Sequence, residues 1–198
     1  QISPPEFMLD AVGDLAAVKA KGLIQKYHGR VLLLMTSACA VHCRYCFRRN
    51  FPYEENKITS NSKEELISVL ENDPSIEEVI FSGGDPLLLS NNQLFEWAQT
   101  LMKIPSVKRW RIHSRLASVL PSRIDVGLIE VLSFFQKEGR KTVLVNHINH
   151  PQEINEDAAY RVAGAFARYL AGEHLFGEII VGRDVRNSSP VLSKAAHQ

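Results

Sequence analysis

Long apolar runs are missing from the 198 residues: nowhere do 18 apolar residues follow one another, so no stretch reads as a membrane-spanning helix. The opening QISPPEFMLD lacks the basic start and apolar stretch of a secretory signal, and its Gln in place of Met implies a trimmed product. Neither sign of charge dominates. Lys and Arg number 23 against 22 Asp and Glu, which removes any global electrostatic case for nucleic acid or an anionic membrane. Apolar residues at 45% and charged residues at 23% exclude a disordered chain. The length suits one domain with a real core and is short for two. Cysteine is scarce, three in all, and none lies outside residues 39–46.

Those three, Cys39, Cys43 and Cys46 in CAVHCRYC, make a poor disulfide framework, because an odd set in so tight a loop leaves a thiol unpaired. C-x3-C-x2-C instead reads as a metal-ligand arrangement in a reducing compartment, hence cytoplasmic. Soft thiolates prefer an iron–sulfur cluster or zinc. A four-iron cubane held by three cysteines keeps one iron open for a small molecule. Zinc would need a fourth ligand, for which His42 and His28 are the candidates.

Apolar, β-rich runs fall at 31–36, 77–82, 107–113, 141–147 and 177–182. Helical patterns lie between the later ones. Leu66, Ile67, Val69 and Leu70 share one face of a helix over 63–72, with Ser62 and Glu65 as its capping box. Ser90 and Gln93 form the box of a helix over 91–103. Helices over 123–137 and 155–171 complete the set, Gly172 closing the last. From the second strand the spacing is about one strand per 30 to 35 residues, as parallel βαβ units require. The expected class is α/β, one domain over 1–198, with a lead-in at 1–29 and βα repeats over 30–198. Five strands suit a partial (β/α) TIM-like barrel, since a closed eightfold one takes about 250 residues. The final NSSPVLSKAAHQ opens a helix, with Ser189 as cap and Pro190 at its first position. It stops after two turns, so the architecture reads as truncated on its C-terminal side.

In parallel α/β folds ligands gather at the carboxyl ends of the strands. Every unusual polar segment falls there: the cysteine loop, SGGDP (82–86), HSR (113–115), NHINHP (146–151) and GRDVRN (182–187). One active site on one rim is the expectation. Gly83 and Gly84 expose backbone to a ligand's amino or carboxylate group. Alternation puts Lys108 and Trp110 with Ile112 on one strand face and Arg109, Arg111 and His113 on the other. Arg115, at the strand end, is an anion-binding candidate. His147 points into the pocket as a polar contact, and Lys26, Tyr27 and Arg30 make a basic group with a phenol suited to phosphate.

CAVHCRYC resembles the cysteine motif of the radical S-adenosylmethionine (SAM) enzymes. The longer RVLLLMTSACAVHCRYCFRRNFPY, followed in order by FSGGDPL, RIHSRL and NHINHP, is similar to the lysine 2,3-aminomutase group, and within it to the aminomutases that serve elongation factor P. The resemblance runs over residues 20–190, YLAGEHLFGEIIVGRDVRN matching loosely. It implies a barrel of radical SAM type and an isomerase that converts L-lysine to β-lysine. One electron from an external donor cleaves SAM at the [4Fe-4S] cluster, and the 5′-deoxyadenosyl radical acts on lysine held by pyridoxal 5′-phosphate (PLP). It further implies Cys39, Cys43 and Cys46 as cluster ligands, with Tyr45, Gly83, Gly84, Asp85, Ser114 and His147 around SAM. Arg48 would hold the lysine carboxylate, and Tyr27 and Arg30, with Lys26, the PLP phosphate. No lysine here matches the family's PLP-linking one; Lys194, in SKAAHQ, lacks its Gly-rich context.

Overall fold

A computed structural model of the chain describes residues 10, 12–43, 46–56, 58–148, 153 and 164. Six strands form one mixed sheet in sequence order: β1 (Val18–Ala20), β2 (Leu23–Tyr27), β3 (Arg30–Thr36), β4 (Glu78–Gly83), β5 (Arg109–Ser114) and β6 (Lys141–Asn146). The first three pair antiparallel, and β3 to β6 run parallel. Helices α1 (Ser60–Asn72), α2 (Asn91–Met102) and α4 (Val126–Gln136) link the parallel strands, with the single-turn α3 (Leu116–Val119) directly after β5. The α/β class holds, and among the described residues the sheet stays open, with β1 and β6 at its edges.

The pleat explains the layering. Val31, Leu33, Val79, Phe81, Trp110 and Ile112 bury against Leu66, Leu70, Leu94, Leu101, Leu132 and Phe135 of the helices. Phe81 meets Trp97 and Trp110 edge-on, at centroid distances of 5.7 and 5.2 Å, and Trp110 meets Phe135 at 5.8 Å. These aromatics weld two helices, α2 and α4, to two strands. The alternate residues, Arg109, Arg111 and His113, take the other sheet face, in register with Glu78 and Ile80 of β4. That face is polar at the start of the strands, where the buried Glu78 carboxylate receives Arg111 at 2.7 Å and Arg30 and Arg109 at 3.5 Å each.

The four expected strands within the described residues are present, each within two residues of its predicted limits. The strand at 177–182, Gly172 and the helix after Ser189 lie outside the described residues, as does the helix at 155–171 apart from residue 164. One cap differs. Helix α1 begins at Thr59, whose hydroxyl accepts from Ser62 N–H while Ser62 Oγ accepts from Thr59 N–H at 2.7 Å. The expected box of Ser62 and Glu65 is therefore displaced by one turn, because Ser62 is itself the buried third residue of the helix. The box of Ser90 and Gln93 is as expected. The β1–β2 ribbon is additional. Its turns rest on Gly22 and Gly29, at φ +82° and +80°, where a side chain would be strained.

Candidate active site at the strand ends

A ladder of hydrogen bonds joins the carboxyl ends of the four parallel strands. Beyond β4, Gly84 N–H donates to the Thr36 carbonyl at 2.6 Å and Asp85 N–H to the Ala38 carbonyl at 2.8 Å. Asp85 then reaches β5. Its Oδ1 accepts from Ser114 Oγ at 2.6 Å and Leu87 N–H at 3.0 Å, and its Oδ2 accepts from Arg115 and Leu116 N–H, both at 2.9 Å. His147 N–H, just past β6, donates to the Ser114 carbonyl at 2.7 Å. The cysteine loop, SGGDP, HSR and the start of NHINHP therefore share one rim, as the sequence implied.

Two roles change on this geometry. The glycine pair is a point of close approach rather than a bare docking edge: a Cβ on Gly84 would lie 2.1 Å from the Ala38 carbonyl oxygen, and one on Gly83, at φ +105°, 2.7 Å from that of Thr36. Only glycine lets the cysteine loop press onto β4. Gly84→Ala must push backbone aside, so we expect a loss of about 2 kcal/mol or more together with defective iron uptake, read by thermal melting and iron analysis. Wild-type values in both would contradict this packing role. Asp85 and Ser114 are also turned inward, each buried and bonded to protein groups that shape the rim.

Cys39, Cys43 and Cys46 are free, partly exposed thiols at the mouth of this rim. Cys46 N–H donates to the Cys43 carbonyl at 3.3 Å, closing a turn between them. Burial, then the Asp85 carboxylate and the other two sulfurs, push the Cys39 thiol up, with the Arg115 cation opposing. The three sulfurs thus share one electrostatic field, in which a bound metal would replace the protons. Among the described residues no three of His, Cys, Asp and Glu converge as ligands of a single ion do. A cubane asks for less convergence, since each thiolate takes a different iron. Soft donors on one half-exposed loop, pinned at one end by Gly84 and Asp85, fit such a cluster. His28 sits in the β2–β3 turn, at the far end of β3, which removes it as a fourth zinc ligand.

Arg48 is buried and internally partnered. Its Nε donates to Asp14 Oδ2 at 2.6 Å, its Nη1 to Ser82 Oγ at 3.0 Å, and its guanidinium lies 4.6 Å from the Phe47 ring centroid. Asp14 also takes Lys26, at 2.5 Å. The segment before β1 is thereby tied through Arg48 to Ser82 of β4. Tyr27 and Arg30 are far from the rim: they pair across the β2–β3 turn, Tyr27 is exposed, and Arg30 joins Glu78. Six residues of β3 put them about 20 Å from the cysteine loop. The structure does not bring them to the other site residues. Tyr45 and His150 lie outside the described residues, as does GRDVRN.

Sequence reasoning overlooked two groups. His113, on the open face, has an enclosed Nε2 without a hydrogen-bond partner among the described residues; burial and then the Arg111 and Arg48 cations push its pKa down to about 4. The imidazole is neutral at physiological pH. Asn146 Oδ1, at the end of β6, is likewise enclosed and unpartnered. Enclosed polar atoms without partners are uncommon; His113 lies on the open sheet face, and Asn146, in register with Ser114, on the opposite one.

A family model described as a 4Fe-4S single cluster domain matches residues 27–111, which takes in the cysteine loop and the SGGDP turn. The chain is 40% identical over 194 residues to an L-lysine 2,3-aminomutase of Escherichia coli K12, covering 98% of this chain and 54% of that protein. The same name belongs to a Buchnera aphidicola protein 36% identical over 97% of this chain and 55% of its own length, and to a Fusobacterium nucleatum protein 33% identical over 96% and 43%. Along nearly its whole length the chain is similar to the L-lysine 2,3-aminomutases. It spans about half the length of the curated relatives it matches. A second model, phosphoglucomutase/phosphomannomutase, alpha/beta/alpha domain I, matches residues 138–198, of which 138–148, 153 and 164 are described. That stretch holds the loosest part of the aminomutase resemblance.

Proposed function

We propose that the chain is the cluster-bearing part of a radical SAM isomerase that moves the amino group of L-lysine from C2 to C3, on a partial barrel of the radical SAM type. The observation that carries the reading is the ladder from Thr36 through Asp85 and Ser114 to His147, which fixes the three-cysteine loop against the open ends of four parallel strands. Cys39, Cys43 and Cys46 hold a [4Fe-4S] cluster with one open iron, and SAM and PLP are the further cofactors. Bound, these groups supply the radical and the electron sink for amino migration.

The chain's own residues bind and orient. Gly83 and His147 border the SAM pocket, with Tyr45 beside it, and Asp85 and Ser114 hold that border in place. His113 offers its unpartnered Nε2 on the open sheet face. Arg48 takes the lysine carboxylate only by giving up part of its hold on Asp14 or Ser82. Tyr27 and Arg30, at the other end of β3 from the cysteine loop, remain the proposed holders of the PLP phosphate. An external one-electron donor and a link to elongation factor P complete the reading.

Anaerobic incubation of the iron-loaded chain with dithionite and SAM tests it. Methionine and 5′-deoxyadenosine are expected. Intact SAM after incubation with a fully loaded chain would overturn the proposal.

A further inference from the structure

Arg115 stands out among the charged groups at the rim because it touches a cysteine. Its Nη1 donates to Cys43 Sγ at 3.3 Å. Its Nε donates to Glu153 Oε2 at 3.2 Å, and its Nη2 pairs with the other oxygen of the same carboxylate. Both side chains are largely buried, 13% and 12% exposed. The backbone is fixed as well, since Arg115 N–H donates to Asp85 Oδ2. With two donors locked in the carboxylate fork and the main chain tied to Asp85, the third donor has little freedom to leave the sulfur.

We propose that Arg115, held by Glu153, is a positioning residue that tunes the cluster through Cys43; the role rests on the function proposed above. When one electron from an external reductant such as dithionite enters the cluster, the sulfurs gain negative charge and no bond to the protein is made or broken. An N–H donated to one of those sulfurs, with a cation behind it, favours the reduced form and raises the potential. Glu153 acts in the opposite sense, since its negative charge offsets part of the cation. The two residues therefore have opposite signs, which a merely structural pair would not have.

Potentiometric titration of the iron-loaded 198-residue chain, followed by electron paramagnetic resonance, reads this directly. Arg115→Gln is expected to lower the reduced-to-oxidised ratio at a fixed solution potential about tenfold, which is 59 mV for a one-electron couple. Arg115→Lys, keeping the charge without the fork, should fall between. Glu153→Gln should move the potential upward. Thermal melting of each variant separates these shifts from loss of fold. If Arg115→Gln takes up no iron, the lysine variant and Glu153→Gln decide, and potentials unmoved there overturn the role. A cubane whose potential ignores both residues removes this role alone; a wild-type chain that holds no cubane removes the proposed function with it.

Discussion

Asp85→Ala is expected to lower the stability of the chain by about 3–5 kcal/mol, through the loss of a charged acceptor from buried donors. The side chain is 6% exposed and accepts four hydrogen bonds, three from the main chain of Leu87, Arg115 and Leu116 and one from Ser114 Oγ. Alanine leaves those donors facing a gap. An unsatisfied buried donor costs about 1–3 kcal/mol, and four around one site are not additive, because the gap can admit water. For a chain of this size the melting temperature should fall by roughly 6–20 °C. Asn is no remedy: its amide keeps one acceptor and turns a second donor toward N–H groups that already need acceptors. A fall under about 2 °C for Asp85→Ala in a thermal melt would contradict the staple between β4 and β5. Because the Asp85 main chain also holds Ala38, iron uptake should suffer alongside stability.

The cysteine substitutions should separate function from fold in the other direction. Cys39→Ala, Cys43→Ala and Cys46→Ala each remove a ligand that the remaining two thiolates do not replace, so cluster content is expected to drop from about four irons per chain to near none. Stability of the metal-free chain should change by less than about 1 kcal/mol, since all three thiols are partly exposed and outside the packed core. Iron and sulfide analysis with thermal melting of the metal-free proteins measures both. Full iron content in any single variant would contradict the three-ligand assignment. Zinc at one equivalent in the wild-type chain, with no sulfide, would replace it by the alternative that the cysteine spacing left open.

Much of the frame was legible because burial writes period-2 and period-3.6 patterns into sequence. Trp110 and Ile112 against Arg109, Arg111 and His113 gave both faces of β5 correctly. Strand ends were legible for the same reason, and with them the shared rim. What side chains do at the rim was not. Asp85 reads as a ligand contact when only its neighbours in sequence are seen, yet its partners are 29 to 31 residues away at Ser114 to Leu116. Arg123 and Arg140 clamp main-chain carbonyls at Leu87 and Leu89 and at the end of α2, contacts that no local pattern announces. Arg48 has its acid, Asp14, 34 residues earlier, in a lead-in segment with little periodicity of its own. Tyr27 and Arg30, given a phosphate role by resemblance, stand at the opposite end of β3 from the cysteine loop. Long-range pairing has no local signature, and these are the points where the sequence reading needed correction.

The central claim is an open iron on a cluster held by Cys39, Cys43 and Cys46. Electron paramagnetic resonance of the anaerobically loaded, dithionite-reduced chain, recorded with and without SAM, tests it most directly. A cubane signal whose g-values shift when SAM is added is the predicted result. A cubane signal unmoved by SAM, or no iron–sulfur signal from a folded chain carrying zinc, would contradict it.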